Sequence, residues 1–249
     1  MQAENIDEVL DLLQQIVLDA ADSGAAHGLF AALYLKMTRG VKQGMDQGRF
    51  DDAERMDRFD TLFANRYLTA LAQSHAGAPT TRAWRAAFEV SDHDDVITLQ
   101  HLLLGVNAHI NLDLAISAAE TSPGEILALE NDFEQINGIV GETLNDAQTV
   151  LGEFNRGLWW VDVVGGDADE WLGTFSISKM RAHAWDNAQE LAGEDRVRWP
   201  GRIRSMDRTA GLLGRNLAHP PLPVRPVVKV LCLFERGRRS DIIRALNAL

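Results

Sequence analysis

HLLLGVNAHINLDL, residues 101–114, decides the fold: it sets two histidines, two asparagines and an aspartate into a run that is otherwise apolar. On a helix turning about 100° per residue, with His101 at the origin, Gly105, His109 and Asp113 fall near about 40°, 80° and 120°. Asn107 and Asn111, with Gln100 just upstream, form a second polar stripe on another side. Leucine, isoleucine and valine take most of what remains. A helix apolar over so much of its circumference belongs at the centre of a bundle, and each of its polar groups then needs a buried partner.

Working outward, the same periodicity recurs on both sides. Residues 5–20 carry Ile6, Val9, Leu10, Leu13, Ile16 and Val17 on one face. LFAALYLKMTRGVKQGM (29–45) repeats the pattern, and in DDAERMDRFDTLFANRYLTALAQ (51–73) Asp51, Asp52 and Glu54 stand where acids favour a helix start. SHAGAPT (74–80) is a stop and turn, and TRAWRAAFEV (81–90) is a short helix packing through Trp84 and Phe88. With Ser91 or Asp92 as N-cap, the central helix is expected over about 94–119.

Beyond SPG (122–124), residues 124–151 read as another long helix despite Gly138 and Gly141, whereas 157–173 lose the period and read as a loop with short helices. Residues 174–191 and 202–217 are helical again, separated by the WPG break at 199–201. PVVKVLCLFE (226–235) is compatible with strand or helix; helix is the expectation, because no second strand is present to satisfy an isolated one. The sequence therefore predicts an all-α multi-helix bundle, one domain over 1–249. A basic subregion at 200–249 lies after and around the proline-rich connector HPPLPVRP (219–226).

Composition narrows the function classes. A chain of 249 residues, 46 % hydrophobic and 24 % charged, can bury a substantial core. The acidic start, MQAENIDEV, lacks the basic region of a secretory signal, and no uninterrupted apolar run is long enough to suggest a membrane span; a cytoplasmic protein without a transmembrane segment is expected. Cys232 is the only cysteine, so a metal would need nitrogen and oxygen ligands. The net charge of −12 is unevenly spread: residues 196–249 hold 12 of the 24 Lys and Arg but 3 of the 36 acids. That basic end can neutralise the acidic remainder, within one chain or in a homo-oligomer, or meet an anionic ligand. No nucleic-acid reading motif accompanies it, and GxSxG, P-loop, GxGxxG, HExxH and EF-hand patterns are absent.

The central segment supplies the candidate chemistry. His109 and Asp113 lie one turn apart, about 6 Å along the axis, so one divalent ion can use both, whereas His101 is about 12 Å from His109 and needs a second ion or a hydrogen-bonded role. Asp113 can alternatively hold the ring of His109. His183 and Asp186 in RAHAWDN can join from another helix, Arg181 can neutralise a phosphate or carboxylate, and Asp57, Asp60, Glu134 and Asp162 are further oxygen donors. Two functions fit. In the first, Zn2+ or another divalent ion held by His109, Asp113 and His183 activates water for phosphoester hydrolysis, with His183 and Arg181 at the reacting group. In the second, a noncatalytic helical module binds an apolar ligand or a protein. There His101, Asn107, His109, Asn111 and Asp113 serve as a structural hydrogen-bond network, and Trp84, Trp159, Trp160, Trp171 and Trp185 line a cavity while Trp199 fixes the WPG bend.

GLFAALYLKMTRGV, GRFDDAERMDRFDTLFANRYLTAL, AWRAAF, HLLLGVNAHINLDL, DFEQIN and FSISKMRAHAWDNAQEL together resemble a bacterial helical family of unknown function, domain family 5995, over most of residues 28–191. The resemblance implies a shared polar centre of Asp57, Asn65, Arg66, His101, Asn107, His109, Asn111, Asp113 and Arg181, and it assigns no substrate, cofactor or catalytic role to it. More distantly, HLLLG followed by His109 is loosely similar to the HxxGD-containing helix of zinc-dependent phospholipase C and its nuclease relatives, which bind metal through His and Asp. Val106 stands where that pattern has aspartate.

Overall fold

The computed structural model describes residues 2–93, 95–155, 176–222 and 224–249. Among them the protein is α-helical, with no strand and one isolated bridge between Asn155 and Glu235. Four helices precede the centre: α1 (Ile6–Ser23), α2 (His27–Asp46), α3 (Ala53–His75) and α4 (Arg82–Phe88). Their starts follow local side-chain chemistry, since a capping oxygen satisfies a backbone N–H that has no partner within its helix. Asn5 Oδ1 accepts from Glu8 N at 3.0 Å, Asp52 Oδ1 from Arg55 N at 2.9 Å, and Thr81 Oγ1 from Trp84 N at 3.3 Å.

The central helix starts later than expected. Residues 91–92 and 95–96 form turns and bends, Gln100 Oε1 accepts from Ile97 N at 3.2 Å, and the helix begins at Thr98, whose N–H and hydroxyl both donate to Glu235. It runs to Thr121 in three parts: α5 (Thr98–Ala108), a π-helical stretch (His109–Leu114) and α6 (Ala115–Thr121). By length and composition it could cross a membrane, yet 89 % of its apolar window is buried inside the protein. α2, α3, α4 and two later helices, α8 (Ile177–Gly193) and α9 (Trp199–Ala218), pack around it.

A 3-10 turn at Ile126–Leu129 precedes α7 (Glu130–Phe154), which passes straight through Gly138 and Gly141. The segment of ambiguous type is helical, α10 (Arg225–Phe234), and α11 (Arg239–Asn247) returns to pack on α1 and α2. One hydrophobic core joins residues from Ala3 to Leu246; a small satellite of Ile97, Val224, Val228 and Leu231 lies under α10. The region expected to be a loop at 157–173, with Trp159, Trp160, Asp162 and Trp171, lies outside the described residues.

Candidate functional site

The π-helical stretch His109–Leu114 is the turn that carries His109 and Asp113. Widening one turn to i→i+5 bonding is rare, and such turns concentrate at functional sites. Both oxygens of Asp113, which is 1 % exposed, are engaged: Arg66 Nε donates to Oδ1 at 3.0 Å and Trp84 Nε1 donates to Oδ2 at 2.8 Å. His109 Nδ1 lies 3.5 Å from Oδ2. Three elements thus converge on one carboxylate, with α3 supplying its counter-ion and α4 its neutral donor.

His109 is held from every side. Its ring stacks on Phe63 with centroids 3.5 Å apart at 9°, and the Tyr34 ring meets its edge at 4.5 Å. Burial lowers its pKa, opposed by the hydrogen bond and charge of Asp113, so the ring is neutral. A carboxylate facing Nδ1 assigns the ring proton to that nitrogen. Nε2 is left as a lone-pair acceptor, and it is buried with no partner.

Beneath this turn lies a half-open cavity of about 70 Å3, lined mostly by apolar side chains from α2, α3, the central helix, α7 and α8. Phe30, Tyr34, Phe59 and Phe63 form its aromatic wall; Asp60, His109 and Arg181 are its ionisable members. Among the described residues Asp60 Oδ2 and Tyr34 Oη are, like His109 Nε2, buried and without a hydrogen bond of regular geometry. Thr38 lies near enough to the Tyr34 phenol to pull its pKa down as a hydrogen-bonding neighbour, but the two hydroxyls do not reach the geometry of a regular hydrogen bond. Burial, then the charge of Asp57, pushes Asp60 up to about 7. Burial, then Asp60 and Asp113, holds the Tyr34 phenol well above its usual value.

Arg181 is a buried cation at the same cavity. Its Nε donates to Asn137 Oδ1 at 2.7 Å and Nη2 to the Phe133 carbonyl at 2.6 Å, and the guanidinium lies 4.3 Å from the Phe133 ring centre. Among the described residues it forms no ion pair; burial pulls its pKa down to about 10, against the charge of Glu134. The acceptors of its two hydrogen bonds are neutral, and Glu134 is the carboxylate whose charge acts on it.

The sequence-predicted residues divide clearly. His109, Asp113 and Arg181 belong to this region, whereas His183 and Asp186 are exposed on α8. The expected metal shell of His109, Asp113 and His183 is therefore not brought together: Asp113 is occupied by Arg66 and Trp84, and His183 faces outward. Among the described residues no group of three or more His, Cys, Asp or Glu is arranged to hold a metal ion. Asp57 accepts from Ile6 N at 2.7 Å and from Thr61 Oγ1, fixing the start of α1.

His101 lies in a second, smaller cavity of about 20 Å3 with His27, Tyr67 and Trp84, and its Nε2 has no partner. Burial, then Arg239, lowers its pKa to about 4. The other polar stripe pins neighbouring helices: Gln100 donates to Leu217 O at 2.7 Å, Asn107 to Ala210 O at 2.9 Å, and Asn111 to Asn107 Oδ1 at 3.0 Å. Trp185 packs on Phe133 at 4.8 Å, and Trp199 donates to Glu194 O at 3.4 Å beneath Arg196, so among the described residues the aromatic wall of the larger cavity is Phe and Tyr; Trp159, Trp160 and Trp171 lie outside those residues.

Asp60 and Tyr34 complete a set that helical spacing around His109 does not reveal. The available signal was Asp60 itself, a lone carboxylate inside the apolar stripe of Met56, Phe59, Phe63 and Tyr67. Chemically, the cavity combines a neutral imidazole, a carboxyl group that titrates near neutrality, a phenol and a cation. Such groups can exchange protons with a bound molecule while apolar walls exclude water.

No curated protein and no solved structure matches the chain, so the distant likeness to zinc-dependent phospholipase C carries no assignment. A family model described as a family of unknown function, DUF5995, matches residues 6–220, and the chain belongs to that family.

Proposed function

We propose that the protein takes up a small organic anion in the cavity beneath the π-helical turn, with Arg181 as its anchor and Asp60 and His109 as proton-handling groups. One observation carries this reading: among the described residues Tyr34 Oη, Asp60 Oδ2 and His109 Nε2 are all buried without a hydrogen bond of regular geometry, and all three residues line the same apolar cavity. Buried polar groups without partners are costly, so several at one cavity mark where a ligand or ordered water supplies the missing bonds. Arg181 selects negative charge. His109, oriented through Nδ1 by Asp113, accepts a proton at Nε2, while Asp60 near neutral pH can donate or accept one. The apolar-ligand reading survives in part, because the cavity walls suit an apolar body. Metal-assisted hydrolysis needs ligands that the described residues do not bring together.

The test is a panel of small carboxylates, phosphates, amines and neutral compounds, followed by thermal shift and calorimetry. A carboxylate or phosphate should raise the melting temperature of the wild type by mass action. Arg181→Met should weaken it at least about tenfold, equivalent to roughly 1.4 kcal/mol, and Arg181→Lys should recover part of the loss. Binding confined to amines or neutral compounds overturns the reading. So does stoichiometric Zn2+, Mn2+ or Fe2+ that disappears in a folded His109→Gln variant, which would restore the metal-dependent hydrolase.

A further inference from the structure

We propose that the outer face of α10 docks on an anionic lipid surface. α10 has a buried side, Val228 and Leu231, that closes the satellite cluster with Ile97 and Val224. Its opposite side is also apolar: Leu233 is 83 % exposed, Val230 50 % and Phe234 42 %, and Leu222 just before the helix is 78 % exposed. Large aliphatic side chains held this far into water, at helical spacing on one face, do not contribute to the core.

Along residues 222–238 the exposed charges have one sign. Arg225, Lys229, Arg236 and Arg238 are all exposed. Among the described residues Arg225, Lys229 and Arg236 form no ion pair, while Arg238 pairs with Asp241. The one acid of this stretch, Glu235, is turned inward, where it accepts from Thr98 N and Oγ1. An apolar helix face rimmed by unpaired Lys and Arg is the pattern that lies in the interfacial plane of an anionic membrane: the apolar tips enter the acyl boundary and the cations meet headgroup charge. A second copy docking through the same face would bring like charges together. For a nucleic acid the protruding leucines would have no use, since phosphate contact needs cations and base contact needs stacking platforms. This face involves none of the cavity residues, so it stands or falls separately from the ligand reading.

The experiment is co-sedimentation of the full chain with vesicles of phosphatidylcholine alone and of phosphatidylcholine with about one-third phosphatidylserine. Binding is expected on the anionic vesicles only, weakening when salt is raised because screening shortens the reach of the cations. Leu233→Asp, and separately Lys229→Glu with Arg236→Glu, should each lower partitioning about tenfold or more with unchanged circular dichroism and melting, since all three side chains are exposed. Equal binding to both vesicle types, no binding to either, or full binding by folded Leu233→Asp would overturn the proposal. Concentration-dependent self-association of the wild type that Leu233→Asp abolishes would also overturn it, by giving the face to a second copy.

Discussion

Trp84 donates its indole N–H to Asp113 Oδ2 over 2.8 Å, and this one bond ties the short helix α4 to the π-helical turn at the centre of the bundle. Arg66 holds the other oxygen of the same carboxylate. Asp113 is therefore a fixed post against which the ring of His109 is set, and the orientation of His109 is inherited from contacts two helices away.

Replacing that post tests the arrangement. Asp113→Asn keeps the volume but removes the negative charge beside Arg66, and its one remaining carbonyl oxygen can serve either Arg66 or the Trp84 and His109 side, not both. Breaking a buried pair typically costs about 3–5 kcal/mol. Arg66 is 27 % exposed and recovers some hydration, so a loss of about 2–3 kcal/mol is expected by chemical denaturation. The His109 ring loses the carboxylate charge that favours its protonated form, so its NMR titration should move to lower pH. Unchanged stability together with an unchanged titration would sink this account.

Asp60 makes a prediction of opposite sign. Its folded-state pKa is raised to about 7 by burial and by Asp57, above the value of an unfolded aspartate. The native state therefore holds the proton more tightly, and stability from this group falls as pH rises from about 4 to about 7. Asp60→Asn should flatten that slope and, in the ligand-free protein above pH 7, increase stability by an amount on the order of a few kcal/mol. Denaturation curves at a series of pH values check it; a variant less stable than wild type at pH 8 would mean that ionised Asp60 has a partner.

The bundle was legible because period and capping agree along most of the chain: the stripe in 5–20, the acids at 51–54 and the SHAGAPT stop all correspond to observed element ends. The His109–Asp113 pairing was legible for the same reason, as two residues one turn apart. Its meaning was not. A regular wheel takes constant rotation per residue, whereas the π-helical stretch begins at His109 and changes that rotation. Nor does spacing within one helix reveal that Arg66 and Trp84, from α3 and α4, fill the coordination positions of Asp113. His183 failed as a partner because α8 buries Met180, Arg181, Ala184 and Trp185 and turns the intervening His183 outward.

Half-buried His27 and buried His101 contribute to the acid side of the stability profile. His27 is lowered to about 4 by burial and by His75, and His101 to about 4 by burial and by Arg239. A histidine whose folded pKa lies below its unfolded value of about 6.5 takes up its proton more readily when unfolded. Stability from these two groups is therefore present above about pH 6.5 and is lost as pH falls towards 4. Asp60 acts in the opposite direction over the same window, so the expected outcome is read as a difference: as pH falls from about 6.5 to about 4, His101→Gln should lose less melting temperature than wild type. Identical slopes in the two proteins would remove His101 from the explanation.

Gly105 gives the most local test of how the two cavities share a wall. A Cβ at this position would stand 2.5–2.8 Å from Phe30 Cγ, Cδ2 and Cβ. Phe30 lines both cavities, meets the His109 ring at 5.5 Å and stacks with Tyr34 at 5.7 Å. Its ring has little freedom to retreat, so Gly105→Ala should destabilise by about 1–3 kcal/mol through overpacking, although alanine is the better helix former. Gly141→Ala on α7 is the matched control. Nothing lies within 4 Å of its added methyl group, and the substitution should stabilise by about 0.5–1 kcal/mol. If the close approach of Phe30 is the cause, Phe30→Leu should reduce the penalty of Gly105→Ala in a double-mutant cycle. Additive effects would instead place the cost of the methyl group elsewhere in the central helix.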